Sequence, residues 1–235
     1  MSGLTDAIIT INREDYEAAK KMHCEHVFYI PGVGVDLDRY RKTVIDRQKY
    51  RESLGIPDEA FMILAIGELS ERKNHKTVIE AIARSGIPDC VFAVCGRAIT
   101  DDNTADELKA LAERLNVDLR LLGYRKDIPE ICRCADIGVL PSLREGLGLA
   151  GIEMLASGIP VVDARVQGIV DYIRDGVNGF LADPKDSGEF ADAIRKLYDG
   201  ETRKKLEENC ASSIEAFDIG RSRKSIEDIY RTILL

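Results

Sequence analysis

Two glutamates bracket a run of glycines in Glu145-Gly-Leu-Gly-Leu-Ala-Gly-Ile-Glu153. Gly146, Gly148 and Gly151 spell G-x-G-x-x-G, with an apolar run before them and Asp163 at the end of the next one. That is the outline of a dinucleotide-binding fingerprint. The details differ. Leu143-Arg144-Glu145 intervenes between the preceding apolar run and the glycines, and Ser157-Gly158 cuts the following helix short. The match also sits late in the chain, whereas the fingerprint opens the first βαβ unit. The glutamates carry more. Glu153 is the only charged residue between Gly146 and Val162. A helix-face glutamate is favoured near a helix N-terminus, but Ile152, Met154 and Leu155 leave this one little exposed face. A buried carboxylate is costly without hydrogen-bond donors. Neighbouring hydroxyl pairs on ribose or hexose are such donors. Backbone N–H groups of the glycine loop and the helix start favour phosphate. One pocket would then offer sugar, phosphate and sugar, the outline of a nucleoside diphosphate sugar.

These residues need a scaffold, and the hydropathy pattern supplies one. Apolar runs of strand length ("AFMILAIG", "CVFAVCG", "LRLLGY", "DIGVLPS", "IPVVDA", "GFLAD") alternate with helical stretches ("NHKTVIEAIARSG", "NTADELKALAERLN", "IPEICRCA", "GIEMLASG", "VDYIRDG"). Nearly all-apolar strands separated by helices imply a parallel sheet covered on both faces. The expected fold class is α/β, a doubly wound parallel, Rossmann-like sheet over residues 45–212. Ligands bind such sheets at the carboxyl ends of the strands. Here those ends are Gly67-Glu68, Gly96-Arg97, Gly123-Tyr124, Pro141-Ser142 and Asp163-Ala164. From Asp186 the chain reads as helical to its end. Ahead of the pattern, residues 1–35 read as strand, helix and strand, ending in the hinge-like "PGVGVD". A charged stretch, "RYRKTVIDRQKYRESLGI", joins the two parts.

Bulk composition narrows the class. The 235 residues are 45% hydrophobic with a net charge of -8, which provides a core and argues against nucleic acid as the main partner. None of the six cysteines forms C-x-x-C, so core thiols in a reducing cytosol are favoured over zinc. Asp36-Leu37-Asp38 has the look of a metal-binding D-x-D but lies in the linker, and no metal site is expected. There is no visible secretory signal, and no run has the length of a membrane span. Contact with a membrane surface is compatible with the sequence.

Three segments together resemble the C-terminal, donor-binding half of a family 4 glycosyltransferase with the GT-B fold. They are "GELSERKNHKTVIEAI" (67–82), "LLGYRKDIPEICRCADIGVLPSLREGLGLAGIEMLASGIPVV" (121–162) and "DYIRDGVNGFLADPKD" (171–186). The resemblance implies roles. Glu145 would contact hydroxyls of the transferred sugar, and Glu153 would hold the ribose. The N–H groups of Gly148, Leu149 and Ala150 would face the sugar or diphosphate. Lys73 would neutralise the diphosphate and stabilise the leaving group. Tyr124 and Arg125 would place the base through backbone contacts. Gly67-Glu68 is a departure, because many relatives carry Gly-Arg there. Glu68 would repel phosphate, leaving Lys73 more nearly alone, with Arg72 or Arg97 as helpers. His75 reads as a helix-start polar residue, not a catalyst.

The implied activity is retaining transfer of a hexose from a nucleotide sugar, UDP-sugar favoured over GDP-sugar, to a glycan or lipid-linked acceptor. Polysaccharide biosynthesis in the cytoplasm is the expected setting, with no cofactor. A GT-B enzyme needs two domains, and this sequence holds one. Residues 1–44 are expected to be a remnant of the acceptor domain plus hinge, 45–212 the donor domain, and 213–235 a crossover helix. The acceptor would bind through the missing domain, and the isolated chain would transfer poorly. The orphaned strands "AIITI" and "VFYI" are expected to pack on the donor domain's surface or to mediate self-association. A non-catalytic nucleotide-sugar-binding or interaction module and an epimerase-like enzyme are the competing readings. The first would tolerate Glu153→Ala without a ligand phenotype. The second needs an acid/base pair inside one domain, where Glu145 is the only candidate.

Overall fold

A computed structural model describes residues 5–98 and 103–234. Residues 1–4 of the expected N-terminal remnant and Leu235 of the expected crossover helix lie outside the described residues. The chain opens with strand β1 (Ala7–Thr10), helix α1 (Arg13–Ala19) and strand β2 (His26–Tyr29). The two strands pair in parallel, Ala7 opposite His26, as a separate small sheet. The charged stretch that follows forms α2 (Leu37–Arg41) and α3 (Arg47–Ser53), started by the side chains of Asp36 and Asp46. Each caps a backbone N–H three residues on, the usual device for an exposed helix start.

The main domain then alternates β3 (Phe61–Ile66), α4 (His75–Ser85), β4 (Cys90–Cys95), α5 (Thr104–Arg114), β5 (Asp118–Gly123), α6 (Ile128–Cys134), β6 (Ile137–Leu140), α7 (Leu149–Ala156), β7 (Val161–Ala164) and β8 (Gly179–Ala182). All six strands pair in parallel, in the order β5-β4-β3-β6-β7-β8. The chain winds outward from β3 through β4 to β5, then returns to β3's other side for β6 to β8. That reversal between β3 and β6 is the crevice where doubly wound sheets bind ligands. Met62, Ile63, Leu64, Phe92, Val139, Val161 and Val162 fill the middle strands and are almost wholly buried. Edge strand β5 differs: Asp118 and Arg120 face solvent and pair with one another.

One helical expectation needs correction. "VDYIRDG" does not begin a helix. It forms one 3-10 turn, Ile169–Asp171, after Gly168 at φ +77°. Asn178 and Gly176 then close a turn into β8: Arg174 N donates to Asn178 Oδ1 at 2.8 Å, and Gly176 N to Gly179 O at 2.8 Å. From Asp186 the chain is helical, as expected, in several pieces. These are α8 (Ser187–Tyr198), α9 (Gly200–Ser213), a 3-10 turn at Glu215–Phe217 and α10 (Ile219–Leu234). Asp199, in extended conformation, ends α8 and caps α9.

The N-terminal fragment is docked on the main domain. Asn12 is fully buried; its side chain accepts from Asp15 N and donates 2.8 Å to Gly146 O. Arg13 N donates to Asp171 at 2.8 Å. Val35 bridges to Asp218, and its carbonyl accepts from Ile219 N at the start of α10. The two N-terminal strands thus reach the glycine loop ahead of α7 through the turn that follows β1. Among the described residues no helix is long and apolar enough to cross a membrane.

Arg51 on α3 is a buried charge, 1% exposed. Its guanidinium donates to the carbonyls of Cys134, Asp58 and Ala60 and pairs with Asp136 at 2.8 Å. Asp136 Oδ2 also accepts from Met62 N at 2.7 Å, so this one arginine ties α3 and the end of α6 to the first sheet strand. Arg51→Ala strands those acceptors and should cost about 3–5 kcal/mol in chemical denaturation. Arg51→Lys should recover little of it, because an ammonium lacks the planar fork.

Candidate functional site

A cavity of about 770 Å³ opens over the carboxyl ends of β3, β4 and β5. Gly67 and Glu68, Gly96 and Arg97, and Tyr124 and Arg125 line it from those strand ends. Glu153 enters from α7, and Arg39 and Tyr40 from α2. Close approach requires glycine at Gly96 and brings Gly67 against the Lys73 side chain. A Cβ on Gly96 would stand 1.7 Å from the Gly67 carbonyl oxygen, and one on Gly67 would stand 3.1 Å from Lys73 Cε. Burial raises the Glu153 carboxyl above its usual range, opposed by the Tyr40 hydroxyl and by Arg39. Tyr40, itself buried, is raised by burial and by its bond to Glu153. The expected ribose carboxylate is therefore already oriented by a hydroxyl donor.

Beside this cavity, across the reversal of the sheet, lies a cluster of charge. Lys73 Nζ pairs with Glu145 Oε1, which also accepts from Ser142 Oγ at 2.9 Å. Glu145 is buried and Lys73 nearly so. Arg72 Nη1 is 3.5 Å from the same oxygen, while its Nη2 holds Glu68 at 2.9 Å. Ser70 Oγ donates to Glu68 at 3.0 Å, and these partners lower its carboxyl. Glu68 is thus turned onto Arg72, the helper named from the sequence. Two further bonds span the crevice: Leu143 N to Arg72 O at 2.9 Å, and Asn74 Nδ2 to Pro141 O at 3.0 Å.

Gly148, Leu149 and Ala150 open α7, with Gly148 at φ +80° and no side chain capping the turn. The first N–H groups of a helix have no intrahelical acceptor, so Leu149 and Ala150 offer theirs to whatever lies ahead of the turn. Below them sit Asp163 and Tyr172, both buried, with Tyr172 Oη 3.2 Å from Asp163 Oδ2 and 3.2 Å from Gly148 O. Burial pushes the Asp163 carboxyl up to about 8.

Comparison with known proteins follows from this geometry. Residues 46–213 match the family model for glycosyl transferases group 1. The chain belongs to that family. It is 34% identical over 238 residues to a Bacillus subtilis protein named as the glycosyltransferase EpsD, covering 98% of this chain and 61% of that protein. It is 30% identical to an Escherichia coli UDP-Gal:alpha-D-GlcNAc-diphosphoundecaprenol alpha-1,3-galactosyltransferase, covering 96% and 60%. This glycosyltransferase chain therefore spans about three fifths of the length of these curated relatives. Its fold matches Anabaena Alr3699/HepE in complex with UDP-glucose, with a TM-score of 0.89 and 25% identity over 97% of this chain and 64% of that one. A Rickettsia africae glycosyltransferase shares the fold at a TM-score of 0.90 and 20% identity. The sheet is the Rossmann-like domain of a GT-B glycosyltransferase.

Within this glycosyltransferase fold, the predicted residues fall into two neighbouring sets. Glu153, Gly67, Glu68, Tyr124 and Arg125 share the cavity. Glu145, Lys73 and Arg72 share the charge cluster. Arg125 donates to Asp127 at 2.9 Å and lowers that carboxyl to about 2, so its side chain is engaged within the protein. Arg97 stacks over the exposed Tyr124 ring at 5.6 Å. His75 opens α4 as expected, but buried: its Nε2 lies 3.0 Å from Glu68 O, and burial lowers its pKa to about 4. Asp36 caps α2 and Asp38 pairs with Lys42 at 2.6 Å. Five of the six cysteines are buried, and all six are free.

The sequence reading missed Arg39, Tyr40 and Tyr172, and noted Ser142 only as a strand end. Tyr40 carried one signal, an aromatic residue beside Leu37 in an otherwise charged stretch. Asp163 was noted only as a strand end, although an acid inside "IPVVDA" is the same anomaly as Glu153. Its raised pKa has a consequence for stability. The native state holds a proton that the unfolded chain, at about 3.9, releases, so its contribution is full below that value and is lost as pH rises toward about 8. Asp163→Asn should therefore gain on wild type between those limits, on the order of a few kcal/mol. Thermal unfolding of both proteins across this range checks it; a constant difference in Tm would contradict a neutral Asp163.

Proposed function

We propose that this chain is the donor-binding part of a retaining, family 4 type glycosyltransferase. The reaction moves a hexose from a uridine diphosphate sugar to a glycan or lipid-linked acceptor, in polysaccharide biosynthesis at the cytoplasmic side of a membrane. The observation that carries the reading is the placement of the Lys73–Glu145 pair next to a cavity containing Glu153, at the reversal of the sheet. The UDP-glucose held by the HepE structure and the UDP-galactose in the name of the E. coli relative favour uridine over guanosine. The lipid-linked acceptor in that relative's name supports the acceptor class. Residues 1–44 would belong to the acceptor side, 45–212 to the donor side, and 213–235 to the crossover.

In this arrangement the base lies over the β4 and β5 ends, placed by the backbone of Tyr124 and Arg125. Its ribose hydroxyls donate to Glu153, which Tyr40 orients. The diphosphate meets Lys73 and the N–H groups at Gly148, Leu149 and Ala150. An arriving phosphate competes for Lys73 and releases Glu145 Oε1 to accept from the sugar's hydroxyls. As the sugar departs, negative charge grows on the diphosphate, and the pre-placed ammonium and backbone donors stabilise it. Glu68 is kept from repelling that charge by Arg72, which brings its own positive charge within reach. Because Lys73 supplies the neutralisation, the proposal needs no metal.

Calorimetric titration with UDP, GDP, UMP and their sugars tests it. UDP should bind more tightly than GDP or UMP. Glu153→Ala should weaken UDP by about 1–3 kcal/mol, the scale of a lost charge-assisted hydrogen bond. Lys73→Ala should shrink the preference for UDP over UMP, since the second phosphate is its partner. A protein that binds none of these ligands would sink the proposal.

A further inference from the structure

Beneath the glycine loop lies a chain of three oxygens that the roles above do not use. Tyr172 Oη stands 3.2 Å from the Gly148 carbonyl and 3.2 Å from Asp163 Oδ2. A carbonyl oxygen only accepts, and a phenol has one hydrogen. Both contacts are hydrogen bonds only if Asp163 brings a proton of its own and donates it to Tyr172, whose hydrogen then goes to Gly148. An ionised Asp163 would take the tyrosine's hydrogen and leave two oxygen lone pairs facing each other at 3.2 Å. Water is not at hand to relieve that, because Asp163 is 0% and Tyr172 3% exposed. The Leu140 main chain also faces the carboxyl, but it gives Asp163 Oδ1 no hydrogen bond of good geometry, a costly state for a carboxylate and a cheaper one for an acid.

The fit to α7 is close. A Cβ on Gly151 would stand 2.2 Å from Tyr172 Oη and 2.7 Å from Asp163 Oδ2. The first turn of the helix thus rests directly on the pair, and residue 151 has no room for a side chain. The ring of Phe217 braces Tyr172 edge-on at 5.9 Å.

We infer that Asp163 is a positioning residue of the donor site: as a neutral acid it sets Tyr172, and Tyr172 sets the Gly148 carbonyl and the N–H groups of Leu149 and Ala150 that follow it. This rests on the donor-site reading above. The groups facing Asp163 account for its state. Burial is the largest influence and Glu145 adds to the rise, while Tyr172, the Leu140 main chain and Lys73 act against it, for a value of about 8. Loss of the proton has two effects. The tyrosine's hydrogen turns to the carboxylate and frees the Gly148 carbonyl. A second negative charge also appears beside Glu145, under a loop that should receive a diphosphate.

The test uses wild type, Asp163→Asn and Tyr172→Phe from about pH 6.5 to about pH 9, bracketing the shifted carboxyl. UDP affinity is measured by calorimetry, and the amide signals of Leu149 and Ala150 by NMR without nucleotide. Wild-type affinity should fall about tenfold at the top of the range, as the competent form becomes a minority. Asp163→Asn carries a permanent donor, so it should keep the neutral-form affinity and lose the step. Tyr172→Phe should be several-fold weaker at neutral pH and also lack the step. The two amides should titrate near pH 8 in wild type and not in Asp163→Asn. Identical pH profiles for wild type and Asp163→Asn, or amides that do not move in wild type, would overturn the inference. Amides that titrate as expected in a protein that binds no UDP would fail the donor reading and leave the coupling standing.

Discussion

A lysine and a glutamate face each other where the sheet reverses, and much of the surrounding structure exists to hold them there. Lys73 follows β3 and Glu145 follows β6, so the pair closes the gap that the reversal opens. Burying such a pair costs desolvation that its attraction repays only when the remaining lone pairs are satisfied. Ser142 and Arg72 supply those partners, and the Leu143–Arg72 and Asn74–Pro141 bonds keep the two loops from drifting apart. An ion pair made from two loops is also an exchangeable one. In the proposed function a phosphate replaces the carboxylate on Lys73, and sugar hydroxyls replace the lysine on Glu145.

The domain handles its other buried charges in three different ways. Arg51 stays ionised and spreads its donors over several carbonyls and Asp136. Glu153 receives one hydroxyl from Tyr40 and stays open to the cavity. Asp163 is driven toward neutrality. Solvent access decides among them. Arg51 is sealed but surrounded by acceptors, Glu153 is partly open, and Asp163 is sealed with one hydroxyl in reach.

The fold was legible because the middle strands are buried on both faces and so read as unbroken apolar runs. That signal placed β3, β4, β6 and β7, and with them the β3 and β4 ends that line the cavity. It was weaker at the rim. "VDYIRDG" has helical composition, but Gly168 packs against the Gly146 carbonyl, and a Cβ there would stand 2.3 Å from it. That tertiary contact leaves a single 3-10 turn. Of the candidate site, Glu153 was visible as a lone charge in an apolar stretch. Glu145 was visible as the other glutamate bracketing the glycines and Lys73 only through family resemblance, and their mutual pairing was not visible at all, because it joins residues on opposite sides of the reversal. Tyr40 and Arg39 come from a short helix outside the sheet, so no strand pattern could point to them.

The Asn12 contact carries a thermodynamic consequence. The N-terminal fragment holds the glycine loop through the Asn12 bond to Gly146 O, while Val35, beyond the Gly32–Gly34 segment, is tied to the start of α10. Swinging the fragment about the Gly32–Gly34 segment would have to release that bond. Loop order and fragment orientation are therefore linked variables. A ligand that fixes the loop changes the free energy of the swing, and by reciprocity anything that fixes the fragment changes the ligand's affinity by the same factor. Asn12, which does not line the cavity, is thus placed to couple the order of the glycine loop to the orientation of the N-terminal fragment.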